Sequence, residues 1–239
     1  MKKTFPPATN LPEQRMLVKQ SRTERASTTK HDWIPWAWCN LRRNPFGELT
    51  PAERVSVAVV DVSEIVAQVQ HSQQAVQLIG DCGRGKTTRM LVLRETLADS
   101  AYVYLFENEP CPAIPSGRPL LIDEAQRLPR HVRRQVFASG LPLVLATHRD
   151  LRRPLVRSGY RVSTQEIGKT NDAALVHALA NKRIEASRLT AHGAVPRLSM
   201  DDAHRLVNQF GSDIRAIESY LYEVVQTQVF SHGEMRFID

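Results

Sequence analysis

The sequence predicts an α/β fold: a five-stranded, mainly parallel sheet flanked by helices and followed by a small all-helical domain. Three observations predict it. Short apolar runs alternate with helix-patterned segments up to Gly168; the glycine-rich stretch GDCGRGKTT, residues 80–88, sits between one such run and a helix pattern; and beyond Gly168 the strand-like runs stop while helix-like segments continue.

Taken in order, Thr50-Pro51-Ala52-Glu53 is a helix start, with a hydroxyl cap, proline at the first position and a glutamate completing a capping box. Val55, Val59, Val62, Val66 and Val69 then recur at helical spacing, so one helix is expected to about Val69. AVQLIG is a strand, RMLVLRETLA a helix, AYVYLFE and PLLID the second and third strands, PRHVRRQVFASG a helix ending in glycine, LPLVLAT a fourth strand and RVSTQEIG a fifth. The segment NEPCPAIPSGR between strands two and three carries prolines that forbid a regular helix, so an extended connection is expected. NDAALVHALANKRIEAS, MDDAHRLVNQFG and SDIRAIESYLYEVVQ read as three helices, the last two with acidic or serine caps. The organisation expected is a basic leader over 1–43, a sheet core over 44–168, a helical lid over 169–228 and a tail over 229–239 with a hairpin around His232-Gly233.

Composition bounds the classes. With 42% hydrophobic and 24% charged residues in 239, the balance is that of a globular chain. The longest apolar runs fall well short of the roughly 20 residues of a membrane span. MKKTFPPATNLPEQ is broken by prolines and polar residues and lacks the apolar stretch of a secretory signal, so a cytoplasmic location is expected. Cys39, Cys82 and Cys111 form no CxxC pair, against a disulfide framework or a zinc site, and Cys82 in the glycine stretch makes sensitivity to alkylation an expectation. The formal charge is +7, most of its excess before residue 44 and the remainder close to neutral. That leader is either a contact for DNA phosphates or a solvated tail. Trp33, Trp36 and Trp38 crowd together just after it, and packing is favoured over base stacking.

Gly80 and Gly85 with Lys86 and Thr87 satisfy G-x-x-x-x-G-K-[ST], with the strand before and helix after that the pattern requires. In such a loop, here Gly80, Asp81, Cys82, Gly83, Arg84, Gly85, Lys86, Thr87 and Thr88, backbone N–H groups turn inward onto phosphates, the lysine reaches the β and γ phosphates of ATP, and the hydroxyl of Thr87 binds Mg2+. PLLIDEAQ delivers two adjacent carboxylates at a strand end: Asp123 as a magnesium ligand and Glu124 as the group that orients or deprotonates water. A base for water favours hydrolysis over transfer to a metabolite. LATHRD places Thr147 or His148 at the equivalent edge, where either touches the γ phosphate and the water. Arg149, Arg152, Arg153, Arg157 and Arg161 follow, read either as a source of transition-state charge for a neighbour's nucleotide or as a solvated or nucleic-acid-facing surface.

GDCGRGKTT, LLIDEAQRL, LATHRDL and GSDIRAIESYLYEV together resemble the P-loop, Walker B, sensor 1 and sensor 2 regions of AAA+ ATPases, over about 44–226. NPFG at Asn44–Gly47 and the IDEAQ form of Walker B are similar to the ExeA and TniB group, and GSDIRAIES resembles the lid of initiator-type members such as DnaA. The resemblance implies an ATPase with Lys86 and Thr87 on phosphate and magnesium, Asp123 and Glu124 as the Walker B pair, Thr147 or His148 as sensor 1, and Arg215 as sensor 2. It also implies a homo-oligomer with an arginine finger, for which Arg153 and Arg157 are candidates. The sequence departs from the pattern in lacking a helix between strands two and three, and in showing no winged helix after the lid. An ABC-type reading is set aside, since no LSGGQ-like segment lies between the loop and LLIDEA. Two functions follow: an oligomeric, DNA-associated ATPase of recruitment or transposition-helper type, or an ATP-dependent switch that closes through Arg215 and exposes a surface for a protein partner.

Overall fold

A computed structural model of the chain describes residues 33–169, 171–229 and 235–238. The first helix, α1 (Pro51–Ser56), starts with the expected reciprocal box: the Thr50 hydroxyl accepts the Glu53 backbone N–H at 3.2 Å, and the Glu53 carboxylate accepts the Thr50 N–H at 2.9 Å. The helix stops at Ser56 and α2 (Ser63–Gln68) begins after a non-helical link, so the single helix expected up to Val69 is two short ones. Val57, Val59, Val60 and Val62 are β-branched and lose side-chain freedom against a preceding helical turn. Asp61 adds a local competitor, its carboxylate accepting the Ser63 N–H at 2.9 Å and opening α2.

The alternating region runs β1 (Gln74–Ile79), α3 (Lys86–Thr96), β2 (Ala101–Tyr104), β3 (Leu120–Asp123), α4 (Arg130–Ala138), β4 (Leu143–Thr147), α5 (Arg152–Arg157) and β5 (Arg161–Glu166). Residues 105–119 contain no helix, as their prolines predict. The arginine run after β4, by contrast, folds as a helix of its own. All five strands are parallel, in the order β2-β3-β4-β1-β5.

Residue alternation decides which helix covers which face. Val76 and Leu78 of β1, Leu121 of β3 and Val144 and Ala146 of β4 pack with Ile65 of α2 and Met90 and Leu93 of α3. Their neighbours Ala75, Leu120, Ile122, Leu143 and Leu145 pack on the other side with Val136 and Phe137 of α4 and Leu155 of α5. Strands β3 and β4 are buried throughout, which is why they read as unbroken apolar runs.

Three further helices, α6 (Ala173–Ala186), α7 (Met200–Phe210) and α8 (Ile214–Thr227), follow the sheet. Each starts with a side-chain cap, from Asp172, Ser199 and Asp213 respectively. Their shared core of Val176, Ile184, Leu206, Ile217, Leu221 and Val225 also contains Leu41 and Phe46 from before the sheet and Met235 and Phe237 from after α8. Trp36 and Trp38 lie partly buried against it, with the Trp36 indole N–H donating to the Val225 carbonyl at 3.3 Å, whereas Trp33 is 81% exposed.

The NPFG stretch is the joint between these parts. Arg183 of α6, buried, donates from Nε to the Pro45 carbonyl at 2.9 Å and from Nη2 to the Gly47 carbonyl at 2.6 Å, and pairs with Glu218 of α8. Its guanidinium also lies 5.8 Å from the centre of the Phe46 ring. The leader before Trp33 and the hairpin expected around His232-Gly233 lie outside the described residues.

Candidate functional site

Parallel strands bring all their carboxyl ends to one edge of the sheet, and the loops that leave that edge form the site. β1 ends in the glycine loop, β3 in Asp123 and Glu124, and β4, which lies between them, in Thr147 and His148.

The loop turns at Gly83 (φ +75) and Gly85 (φ +95), conformations that L side chains adopt at a cost. Helix α3 then begins at Lys86 with no side chain capping its first turn, so its leading N–H groups and dipole face the loop. Lys86 is 5% exposed, and its ammonium donates to the Gly80 and Asp81 carbonyls at 2.7 and 2.8 Å. Burial lowers its pKa, opposed first by the Glu124 carboxylate and then by Cys82, Asp123 and Asp81. Asp81 and Cys82 are exposed, while Arg84, Thr87 and Thr88 are half-buried.

Asp123 is fully buried. It accepts the Tyr102 hydroxyl at 3.3 Å and the Glu124 backbone N–H at 3.0 Å, and the Thr87 hydroxyl faces it across the start of α3. Burial pushes its carboxyl pKa up, while the neighbouring Thr87 hydroxyl opposes the rise. Glu124 takes the left-handed conformation at φ +60, uncommon outside glycine, which turns its carboxylate away from the strand line. There it meets three groups. His148 Nε2 lies 3.2 Å from Oε1, the Gln126 amide donates to Oε2 at 2.7 Å, and Arg127 Nη2 is 3.4 Å from Oε2.

The structure separates Thr147 from His148. Thr147 is fully buried, and its hydroxyl donates to the Arg149 carbonyl at 2.9 Å and accepts the Arg149 N–H at 3.1 Å, so it closes a turn. His148 is the member of the pair that reaches Glu124, with Cys82 Sγ 3.8 Å from its ring.

The opposite wall comes from the helices after the sheet. Arg84 donates to the Ser212 hydroxyl at 2.5 Å, and the Asn171 amide donates to the carbonyls of Ser212 at 2.9 Å and Arg84 at 3.4 Å. A Cβ on Gly83 would lie 2.3 Å from the Asp213 carboxylate and 3.0 Å from Cβ of Arg215, so the loop and the start of α8 touch backbone to side chain. Arg215 is exposed and lines a cavity of about 360 Å³ shared with the loop, Glu124 and Arg127.

That cavity also contains residues the sequence did not single out: Val57–Val60 from the link between α1 and α2, Leu175 and Leu179 of α6, and Ile214 of α8. A signal for the first group was present, since a β-branched run ending in Asp-x-Ser argues against a continuous helix. For Leu175, Leu179 and Ile214 no local signal exists, because only the chain's path brings them there. No protein-family model matches the chain, and no curated protein matches it.

Proposed function

We propose that the chain binds ATP with magnesium in this cavity and hydrolyses its γ-phosphate bond, as a P-loop ATPase whose lid is the helical unit α6 to α8. The carrying observation is the convergence, on one sheet edge, of a buried lysine inside a glycine loop, a hydroxyl facing a buried carboxylate, and a second carboxylate held 3.2 Å from a histidine. The 360 Å³ cavity falls in the range of small-ligand sites, and its apolar end at Val57–Val60, Leu175 and Ile214 suits a base.

The donors fit magnesium. Among the described residues no group of three or more His, Cys, Asp or Glu side chains clusters as a metal cage. Magnesium does not need one, since it keeps waters and takes one or two protein oxygens plus substrate phosphates. Thr87 and Asp123 supply hard oxygens of that kind. Held there by Thr87 and Asp123, the ion would supply positive charge to offset that of the phosphate oxygens.

The chain's own residues do the rest. The backbone N–H groups at the start of α3 and the Lys86 ammonium bind and orient the phosphates. Glu124 accepts the proton of the attacking water, and His148, Gln126 and Arg127 hold its carboxylate in place until then. Arg215, which lines the same cavity, is assigned to contact phosphate and so to tie nucleotide state to the position of α8. The contact of Gly83 and Arg84 with Ser212 and Asp213 favours a second use of the same site, in which binding alone repositions the helices and hydrolysis resets them.

Nucleotide binding by fluorescence and phosphate release under saturating ATP and Mg2+ test this directly. Lys86→Ala is expected to lose nucleotide binding. Glu124→Gln is expected to keep it and lose about 10²- to 10⁴-fold in turnover. Wild-type turnover in Glu124→Gln would overturn the hydrolytic assignment; normal binding with no turnover in the native protein would leave the switch alone.

A further inference from the structure

We propose that the outer face formed by α4 and α5 binds duplex DNA along its phosphate backbone. Between Ala125 and Gln165 the chain carries nine arginines and no lysine against a single acid, Asp150, so this stretch by itself exceeds the formal +7 of the whole protein. The fold gathers that charge: α4 and α5 pack on the same side of the sheet through Val136, Phe137 and Leu155, and the Phe137 and Tyr160 rings meet edge-on at 6.5 Å. Arg130, Arg134, Arg152, Arg153 and Arg157 are exposed there, and Arg133 is half-buried.

Among the described residues, none of the six makes an ion pair, whereas Arg43, Arg94, Arg127, Arg183, Arg188 and Arg197 all do. Asp150, the one acid in this stretch of sequence, is already engaged: its carboxylate accepts the Gln77 amide at 2.7 Å and the Arg152 backbone N–H at 2.8 Å. On the opposite side of the sheet, α3 pairs its Arg94 with Glu95. Unpaired exposed guanidinium groups on one face repel one another and are relieved by a polyanion, and their planar fork matches phosphate oxygens.

The surface selects the form of nucleic acid. Single strands are held by aromatic side chains on which bases stack. Among the described residues the exposed large apolar side chains are Trp33, Phe106, Val156, Met200 and Tyr222, and of these only Val156 belongs to α4 or α5. A charged face without stacking platforms fits the regular phosphate rails of a duplex. This stretch is separate in sequence from the leader, and the proposal does not depend on nucleotide hydrolysis.

The test is anisotropy of a labelled 30-base-pair duplex of arbitrary sequence, titrated with the full chain from 50 to 200 mM salt. Arg130→Ala/Arg134→Ala is expected to weaken binding about tenfold or more at the low-salt end and to reduce the log–log salt slope by about 2, one for each phosphate no longer neutralised. Arg130→Lys/Arg134→Lys should restore most of the affinity. ATP turnover by both variants should match the native protein, which separates this result from any failure of the hydrolytic reading. Four results would overturn it: no binding by the native chain at 50 mM salt; unchanged binding by the alanine pair with loss on Arg15→Ala/Lys19→Ala/Arg22→Ala; tighter binding to a single strand of equal length; or loss of self-association in sedimentation with DNA affinity intact.

Discussion

Replacing Arg183 by alanine perturbs the joint on which the cavity's helical wall depends. Its side chain is 4% exposed, and it serves two backbone carbonyls, the Glu218 carboxylate and the face of Phe46 at once. Alanine leaves Pro45 and Gly47 without their donor and Glu218, at 23% exposure, without its cation. Breaking a buried pair by removing one partner costs about 3–5 kcal/mol. At about 2–4 °C per kcal/mol for a chain of this size, the expected loss in Tm is roughly 6–20 °C. Arg183→Lys keeps the charge but not the fork and should fall between. Thermal unfolding of Arg183→Ala, Glu218→Gln and the double variant measures the coupling, since the second substitution should cost much less once the first is made. A drop in Tm under 2 °C for Arg183→Ala, or strictly additive losses in the double variant, would refute the role assigned to this cluster.

Three other outcomes are expected. Thr147→Val should lower stability by about 1–3 kcal/mol through the missing turn bonds and leave turnover within about threefold, whereas His148→Ala should lower turnover at least tenfold with little change in Tm; steady-state kinetics beside calorimetry separate the two. Gly83→Ala adds the roughly 1–2 kcal/mol cost of a left-handed L residue to an overlap with Asp213, so residues 211–216 should exchange amide hydrogens faster and ATP should bind more weakly. The pH profile of ATP affinity should be bounded from both sides. The Asp123 carboxyl, raised by burial, takes up its proton at higher pH than an ordinary aspartate, so the magnesium-dependent part of binding is lost as pH falls through that raised value. The Lys86 ammonium, lowered by burial, gives up its proton below the usual lysine range, so phosphate affinity falls as pH rises through it. Without ligand the signs differ: between its unfolded and raised folded pKa, Asp123 binds more protons folded than unfolded, and stability declines with rising pH there. Isothermal titration across pH, with and without magnesium, reads the first two slopes.

The sheet was legible because its signals are local. β1 to β4 are short, mainly apolar runs bounded by turn residues, whereas β5, RVSTQE, is largely polar, and β3 and β4, covered on both faces, show no polar interruption until the candidate site residues at their ends. The same property exposed Lys86, Thr87, Asp123 and Glu124, since a carboxylate pair or a glycine loop at the end of such a run has few purely structural explanations. What stayed hidden was set by distance or by summation. The break at Val57–Val60 was masked by valines spaced as if on a helix face, although their branching opposes one. Leu175, Leu179 and Ile214 reach the cavity only because α6 and α8 return to the loop. The charge outside the leader sums to nearly nothing, and that sum conceals arginines gathered between Ala125 and Gln165 and acids spread elsewhere.

Leu41 and Phe46 share one core with Val225, Met235 and Phe237, and the Trp36 indole bonds a carbonyl 189 positions away. The helical wall of the site is therefore assembled from both sides of the sheet region in the order of synthesis. The segment made first must wait, its apolar residues uncovered, until the last helix has been made, and long-range closure of this kind is slow. A chain halted at Gly168 would carry every residue of the glycine loop and both carboxylates and still leave Leu41 and Phe46 exposed to aggregation. The folding unit is thus larger than the segment that carries the glycine loop and both carboxylates.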